Sequence, residues 1–198
     1  MSTAARPSLL VIIPTHNRVA LLERTVDSVL ACEQPKDREV RLLVVENGPK
    51  SGTEELLRRK ETWLRPEYRH HARPNKSEAQ NLCIEEAGES LVIFLDDDVR
   101  VAPALLVEYA QAAGERRTGA IFGGGMLIDY EAPPPRWLRD YLPPSARGWH
   151  PENYIPISKG MPFAGCNWAA FAPDVRAAGG FNPLFGPGGV NVGTGEDR

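Results

Sequence analysis

Three carboxylates in a row, Asp96-Asp97-Asp98, follow the apolar run Leu91-Val92-Ile93-Phe94-Leu95. At about 4 Å and an effective dielectric near 20, each pair of like charges costs roughly 4 kcal/mol. A divalent cation reverses that sign, whereas an exposed acidic turn that starts the next helix relieves it by screening. Both readings are open on this stretch alone. Two other polar groups stand where apolar runs end: Thr15-His16-Asn17-Arg18 after Leu9–Ile13, and Glu46-Asn47-Gly48 after Val40–Val45. A second acidic pair, Glu196-Asp197, lies close to the end of the sequence behind a glycine-rich stretch.

The elements that must position these groups alternate through the first half. Leu9–Ile13 reads as a buried strand stopped by Pro14, and residues 19–31 as a helix with Leu22, Val26, Val29 and Leu30 on one stripe. Val40–Val45 is a second strand, and Ser51 with Glu54 has the spacing of a capping box. Tyr68–Ala72 is a short third strand. Asn75 with Glu78 repeats the capping spacing before a helix faced by Ala79, Leu82, Cys83 and Ala87. Leu91–Leu95 is the next strand, and Pro103 suits the first turn of a further helix. Strands alternating with helices predict a single α/β domain with a mostly parallel sheet flanked by helices. In such a sheet the polar strand ends share one edge, where ligands of open α/β sheets bind.

The second half has a different character. Ala120–Ile128, broken by Gly123-Gly124-Gly125, predicts an interrupted strand. Residues 129–162 are rich in proline and aromatics. They read as an irregular excursion over the sheet with a short helix near Trp137–Leu142, its aromatics either lining an acceptor groove or packing on the core. Phe163–Phe171 returns to the core, Pro173 opens a brief helix ending at Gly179-Gly180, and the glycine-rich stretch from Gly186 to Gly195 predicts a weakly anchored tail.

Composition narrows the function class. The 198 residues, 42% hydrophobic and 25% charged, suit one globular core. A net charge of -3 argues against nucleic acid as the main partner. Cys32, Cys83 and Cys166 are odd in number and lack metal-ligand spacing, as expected of reduced thiols in the cytoplasm. No stretch before Pro14 suits a signal peptide or a transmembrane segment. Peripheral contact with the inner face of a membrane is compatible with this composition.

Taken in order, the motifs resemble the family 2 glycosyltransferases of GT-A-type fold. The resemblance rests on Val11-Ile12-Ile13-Pro14-Thr15-His16-Asn17-Arg18, Val44–Gly48, the helix start from Asn75 to Asn81, and Phe94-Leu95-Asp96-Asp97-Asp98. It continues through Gly165-Cys166-Asn167, Gly179-Gly180-Phe181 and Gly195-Glu196-Asp197. It implies a Rossmann-like domain with a nucleotide-sugar half over residues 1–115 and an acceptor half over 116–198. It also implies metal-dependent, inverting transfer from a UDP- or GDP-type sugar, with Mg or Mn, to an acceptor hydroxyl of a glycan or glycolipid.

Carried onto this chain, the resemblance puts Pro14 and Thr15 under the nucleoside and Glu46 on the base or ribose. Aspartate is commoner at that position, so Glu46 shifts the donor or suits another base. Asp96 faces the ribose side, Asp98 ligates the metal, and Asp97 contributes or orients. Arg73 and Lys76 neutralise diphosphate, although Lys76 replaces a frequent glycine and reads equally as a solvated helix start. Asp197 is the expected base, with Glu196 as second candidate or acceptor contact. Relatives continue past this acidic pair, so the end at Arg198 reads as either a trimmed longer protein or a short enzyme. Charge on a departing diphosphate calls for a Lewis acid, and oxygen donors suit Mg or Mn. Two rivals are a nucleotidyltransferase and a non-catalytic nucleotide-sugar-binding module. The turn Pro14–Arg18 lacks the glycine- and lysine-rich loop expected of the first.

Overall fold

A computed structural model describes residues 6–60, 62–130, 132–142, 146 and 165–189. Six strands form one sheet in the order β3-β2-β1-β4-β6-β5. They are β1 (Leu9–Thr15), β2 (Val40–Asn47), β3 (Glu67–His71), β4 (Leu91–Leu95), β5 (Ile121–Gly123) and β6 (Asn167–Phe171). The helices are α1 (Val19–Leu30), α2 (Thr53–Arg58), α3 (Lys76–Glu85), α4 (Leu105–Ala113) and α5 (Ala172–Ala177). β1 pairs in parallel with β2 and β4, and β2 in parallel with β3. β6 runs antiparallel to both β4 and β5. The fold is a mostly parallel Rossmann-like sheet flanked by helices.

Alternation along β1 divides the core into two layers, as the period of two in a strand requires. Leu9, Val11 and Ile13 pack with Leu22, Val26 and Val29 of α1, Leu56 and Leu57 of α2, and Leu106 and Tyr109 of α4. Leu10 and Ile12 pack on the other face with Ala79, Cys83 and Ile84 of α3, and with Trp168 and Phe181. Phe94 stacks on Trp168 at 4.4 Å between ring centroids and meets Phe181 edge-on at 5.2 Å. Every residue of β1 and β4 is buried. That accounts for their continuous apolar runs.

Several expectations need correction. Pro14 does not stop β1. The strand runs on to Thr15, which sits opposite Glu46, while pairing with β4 ends at Ile12 and Phe94. Beyond that point one flank has no register partner, and a missing N–H is tolerated. The Ser51–Glu54 capping box does not form. Gly52 is the N-cap of α2, with no side-chain cap, because the Ser51 hydroxyl donates to Glu46 instead. At α3 half of the predicted box forms. Asn75 accepts from the Glu78 N–H, while the Glu78 carboxylate turns to His71 and Arg73. The predicted strand at 120–128 shrinks to Ile121–Gly123, and the segment near Trp137 is a 3-10 turn at Arg136–Tyr141. Trp137 and Tyr141 are exposed and do not pack on the core.

The described beginning of the glycine-rich stretch, up to Gly189, and the residues before it are anchored to α3, while residues 190–195 lie outside the described residues. Asn75 Nδ2 donates to Pro183 O (2.9 Å), Lys76 N to Pro187 O (3.2 Å) and Ser77 Oγ to Phe185 O (3.4 Å). Asn81 bonds both the N–H and the carbonyl of Phe181, at 2.8 Å each. Residues 181–189 therefore form a strap over the N-terminal end of α3. Among the described residues, no helix is long and apolar enough to cross a membrane.

Candidate active site

Parallel pairing brings the carboxyl ends of β1, β2, β3 and β4 to one edge of the sheet. The three acids after β4 separate there. Asp97 turns inward and is buried; it accepts from Thr15 Oγ1 at 2.8 Å and from Arg18 Nη1 at 3.3 Å. Asp98 stays half exposed and meets the same Arg18 nitrogen at 3.2 Å. Asp96 pairs with Lys76 Nζ at 3.2 Å. Burial holds the Asp96 carboxyl above its usual range, Lys76 works against that, and the neighbouring Asp98 and Asp97 charges add to it. Arg18 and Lys76 thus face the three carboxylates and relieve the repulsion read from the sequence.

The turns beside the acids are laced together. Asn47 Nδ2 donates to Thr15 O at 2.9 Å, and His16 Nδ1 lies 2.5 Å from Asn47 O. Gly48 donates its N–H to His71 O at 2.8 Å, and its carbonyl faces His70 Nε2 at 2.8 Å. Gly48 has φ +91°, and a Cβ there would lie 2.6 Å from the His16 ring. Only glycine meets both demands without strain.

Glu46, expected at the base or ribose, is fully buried and uses both oxygens within the protein. Oε1 accepts from Ser51 N (2.8 Å), Ser51 Oγ (2.6 Å) and Thr53 Oγ1 (2.8 Å), and Oε2 from Tyr68 Oη (2.6 Å). Burial pushes its pKa up, but the bonds from Ser51, Tyr68 and Thr53 outweigh it and hold the carboxyl below the usual range. Burial and this carboxylate raise the Tyr68 phenol.

Of the sequence-predicted residues, Pro14, Thr15, Glu46, Lys76, Asp96, Asp97 and Asp98 converge on this edge. Arg73 instead extends into solvent, its Nη2 2.9 Å from Glu78 Oε1. Glu196 and Asp197 lie outside the described residues. Sequence reasoning missed Arg18, although its place in the polar turn after β1 was a signal. It gave no site role to Asn47, to Ser51, which it read as a helix cap, or to Thr53 and Tyr68, whose polar atoms carry no motif. Cys166 is half-buried with its Sγ 3.4 Å from Met126 Sδ. Burial first, then the charges of Asp96 and Asp98, raise its thiol pKa, so it stands within electrostatic reach of the acids.

The donor set suits a hard cation. Asp96 and Asp98 offer carboxylate oxygens at a partly open edge, and such ligands fit Mg or Mn completed by phosphate oxygens. Among the described residues no three His, Cys, Asp or Glu side chains converge as a ready-made metal cluster. Two clefts, of about 510 and 530 Å³, lie elsewhere. The first is bounded by α2 and Tyr68, the second by Arg6, Arg38 and the end of α4.

Comparisons with known proteins agree with this fold. The model for Glycosyl transferase family 2 matches residues 10–176. The succinoglycan biosynthesis protein ExoM of Rhizobium meliloti is 29% identical over 131 residues, covering 63% of this chain and 40% of ExoM. Among solved structures, the mannosyltransferase PcManGT of Pyrobaculum calidifontis, in complex with GDP-Man and Mn2+, superposes with TM-score 0.64 at 21% identity. That match covers 92% of this chain and 49% of PcManGT. TarS of S. aureus, as its 1–349 fragment with UDP, gives TM-score 0.62 at 16% identity over 89% of this chain and 50% of the fragment. The chain spans about half the length, or less, of these proteins. At such identities the structural likenesses speak for the fold.

Proposed function

The chain belongs to glycosyl transferase family 2, and from that premise we propose that it transfers a sugar, with inversion, from a nucleoside diphosphate sugar to an acceptor hydroxyl, using Mg or Mn. The observation that carries this reading is the half-exposed Asp98, which follows the buried, Thr15-bound Asp97 just beyond the carboxyl end of β4. A bound divalent cation supplies Lewis-acid stabilisation of the charge that develops on the departing diphosphate.

The remaining work falls to side chains. Asp98 supplies an oxygen ligand, with Asp96 toward the ribose side. Asp97, tied to Thr15, fixes the direction in which its two neighbours point. Lys76 lies against Asp96 and supplies positive charge near the diphosphate. Glu46 acts on the base end through Ser51, Thr53 and Tyr68, which it holds in place. Asp197 is the proposed base. It takes the proton of the acceptor hydroxyl as that oxygen attacks the anomeric carbon, and the bond from that carbon to the β-phosphate oxygen breaks on the opposite face. Glu196 is its neighbour and second candidate.

A nucleoside diphosphate as donor is supported by GDP-Man in PcManGT and UDP in TarS. A glycan or glycolipid acceptor is supported by the role of ExoM in succinoglycan biosynthesis. The test is an Asp197→Asn protein assayed for donor binding and for transfer. The expected result is unchanged donor affinity with turnover lowered by roughly 100-fold or more. Near wild-type turnover would remove Asp197 as the base.

A further inference from the structure

The sequence assigns Arg18 no role beyond its place in the polar turn after β1, yet its Nη1 lies 3.3 Å from Asp97 and 3.2 Å from Asp98. We propose that Arg18 is an exchangeable counter-ion: it neutralises Asp98 in the free protein and moves to the donor diphosphate when a divalent cation takes Asp98. This rests on the proposed metal and donor reading of the same edge.

The two carboxylates hold Arg18 differently. Asp97 is buried and also bound to Thr15, so it anchors the guanidinium from below. Asp98 is 47% exposed and the Arg18 side chain 53% exposed, so their contact is open to solvent and weak. A dication and a guanidinium repel, so a cation on Asp98 loosens that carboxylate's hold on Arg18 and favours its move toward a further anion. A diphosphate is such an anion, and the planar fork of arginine suits its oxygens. The backbone gives the side chain a fixed base. Asn17 has φ +53°, and the Arg18 carbonyl accepts from Leu21 and Leu22 at the start of α1. The guanidinium, whose Nη1 makes both contacts, is the part that moves.

The proposal carries opposite signs for the two ligands. In the free protein Arg18 opposes metal and favours diphosphate. Its neutral variant Arg18→Met therefore binds Mn alone more tightly and nucleoside diphosphate alone more weakly. A merely structural loss would weaken both.

Calorimetric titration of wild type, Arg18→Met and Arg18→Lys tests this with MnCl2 alone, with UDP and GDP alone, and with each nucleotide in saturating Mn. Circular dichroism checks folding. For Arg18→Met the expected result is Mn affinity raised about tenfold without nucleotide and nucleotide affinity lowered about tenfold without metal. Arg18→Lys should keep the wild-type Mn affinity and lose part of the nucleotide affinity. Unchanged or weakened Mn binding in folded Arg18→Met would overturn the proposal while leaving the metal and donor reading intact, provided wild type binds nucleotide with Mn. Absence of Mn-dependent nucleotide binding in wild type would overturn both. Should Arg18→Met fail to fold, Arg18→Gln is titrated in its place against the same two outcomes.

Discussion

A buried carboxylate is stable only when its charge is matched by donors, and Glu46 meets that condition with four hydrogen bonds. Glu46→Gln replaces one acceptor oxygen by an NH2 group that faces hydroxyl or amide donors. The expected cost is about 2 kcal/mol of stability in denaturant melts at neutral pH. The pH dependence follows from the lowered pKa. Because the folded state holds the proton less tightly than the unfolded one, the contribution is complete above the ordinary carboxylate range near pH 4.3. It is lost as pH falls through the depressed folded value. The gap between wild type and Glu46→Gln should therefore be widest near neutrality and close in acid. A gap that widened in acid would contradict the assignment. The acid triplet was legible in the sequence as a cluster that needs neutralising. What each member does was not, because partners as distant as Thr15, Arg18 and Lys76 decide it.

Among the elements, the strap and α3 are the pair whose coupling matters most. A Cβ at Gly188 would lie 1.7 Å from Pro74 O, and its φ is +85°. Gly188→Ala should therefore lift the strap from the start of α3. Since the strap precedes the stretch that contains Asp197, turnover is expected to fall at least about tenfold while donor affinity holds within about twofold. A matched loss of donor affinity would assign the strap to donor binding instead. Asn81→Ala, which removes both bonds to Phe181, should destabilise by roughly 1–3 kcal/mol. The parallel strands were legible because β1, β2 and β4 are apolar runs buried on both faces. The antiparallel course of β6 was not, since the residues Asn167–Phe171 fix no direction by themselves. The Ser51–Glu54 spacing misled because Glu46, distant by one turn of chain, competes for the same hydroxyl. Proline-and-glycine composition likewise hid the strap, whose bonds are made by backbone carbonyls to α3.

At the scale of the whole molecule, a sheet buried in two layers presents four polar strand ends on one edge, and family 2 membership gives that edge its expected chemistry. The overall class was legible because the β-α alternation, the strand-end acids and the later Gly-Gly-Phe and Gly-Glu-Asp contexts occur in one order. In the proposed function this edge binds a nucleoside diphosphate through a divalent cation. The most direct measurement is thermal unfolding across a panel of UDP- and GDP-sugars, each with and without Mn or Mg. A ligand that binds only the folded protein raises its stability by about 2.7 kcal/mol at one hundred times its Kd. For a chain of this size that corresponds to roughly 5–10 °C in Tm. Such a rise is expected for at least one nucleotide sugar when metal is present, with little or none without it. No metal-dependent rise with any UDP- or GDP-sugar, or a rise of equal size without metal, would contradict it.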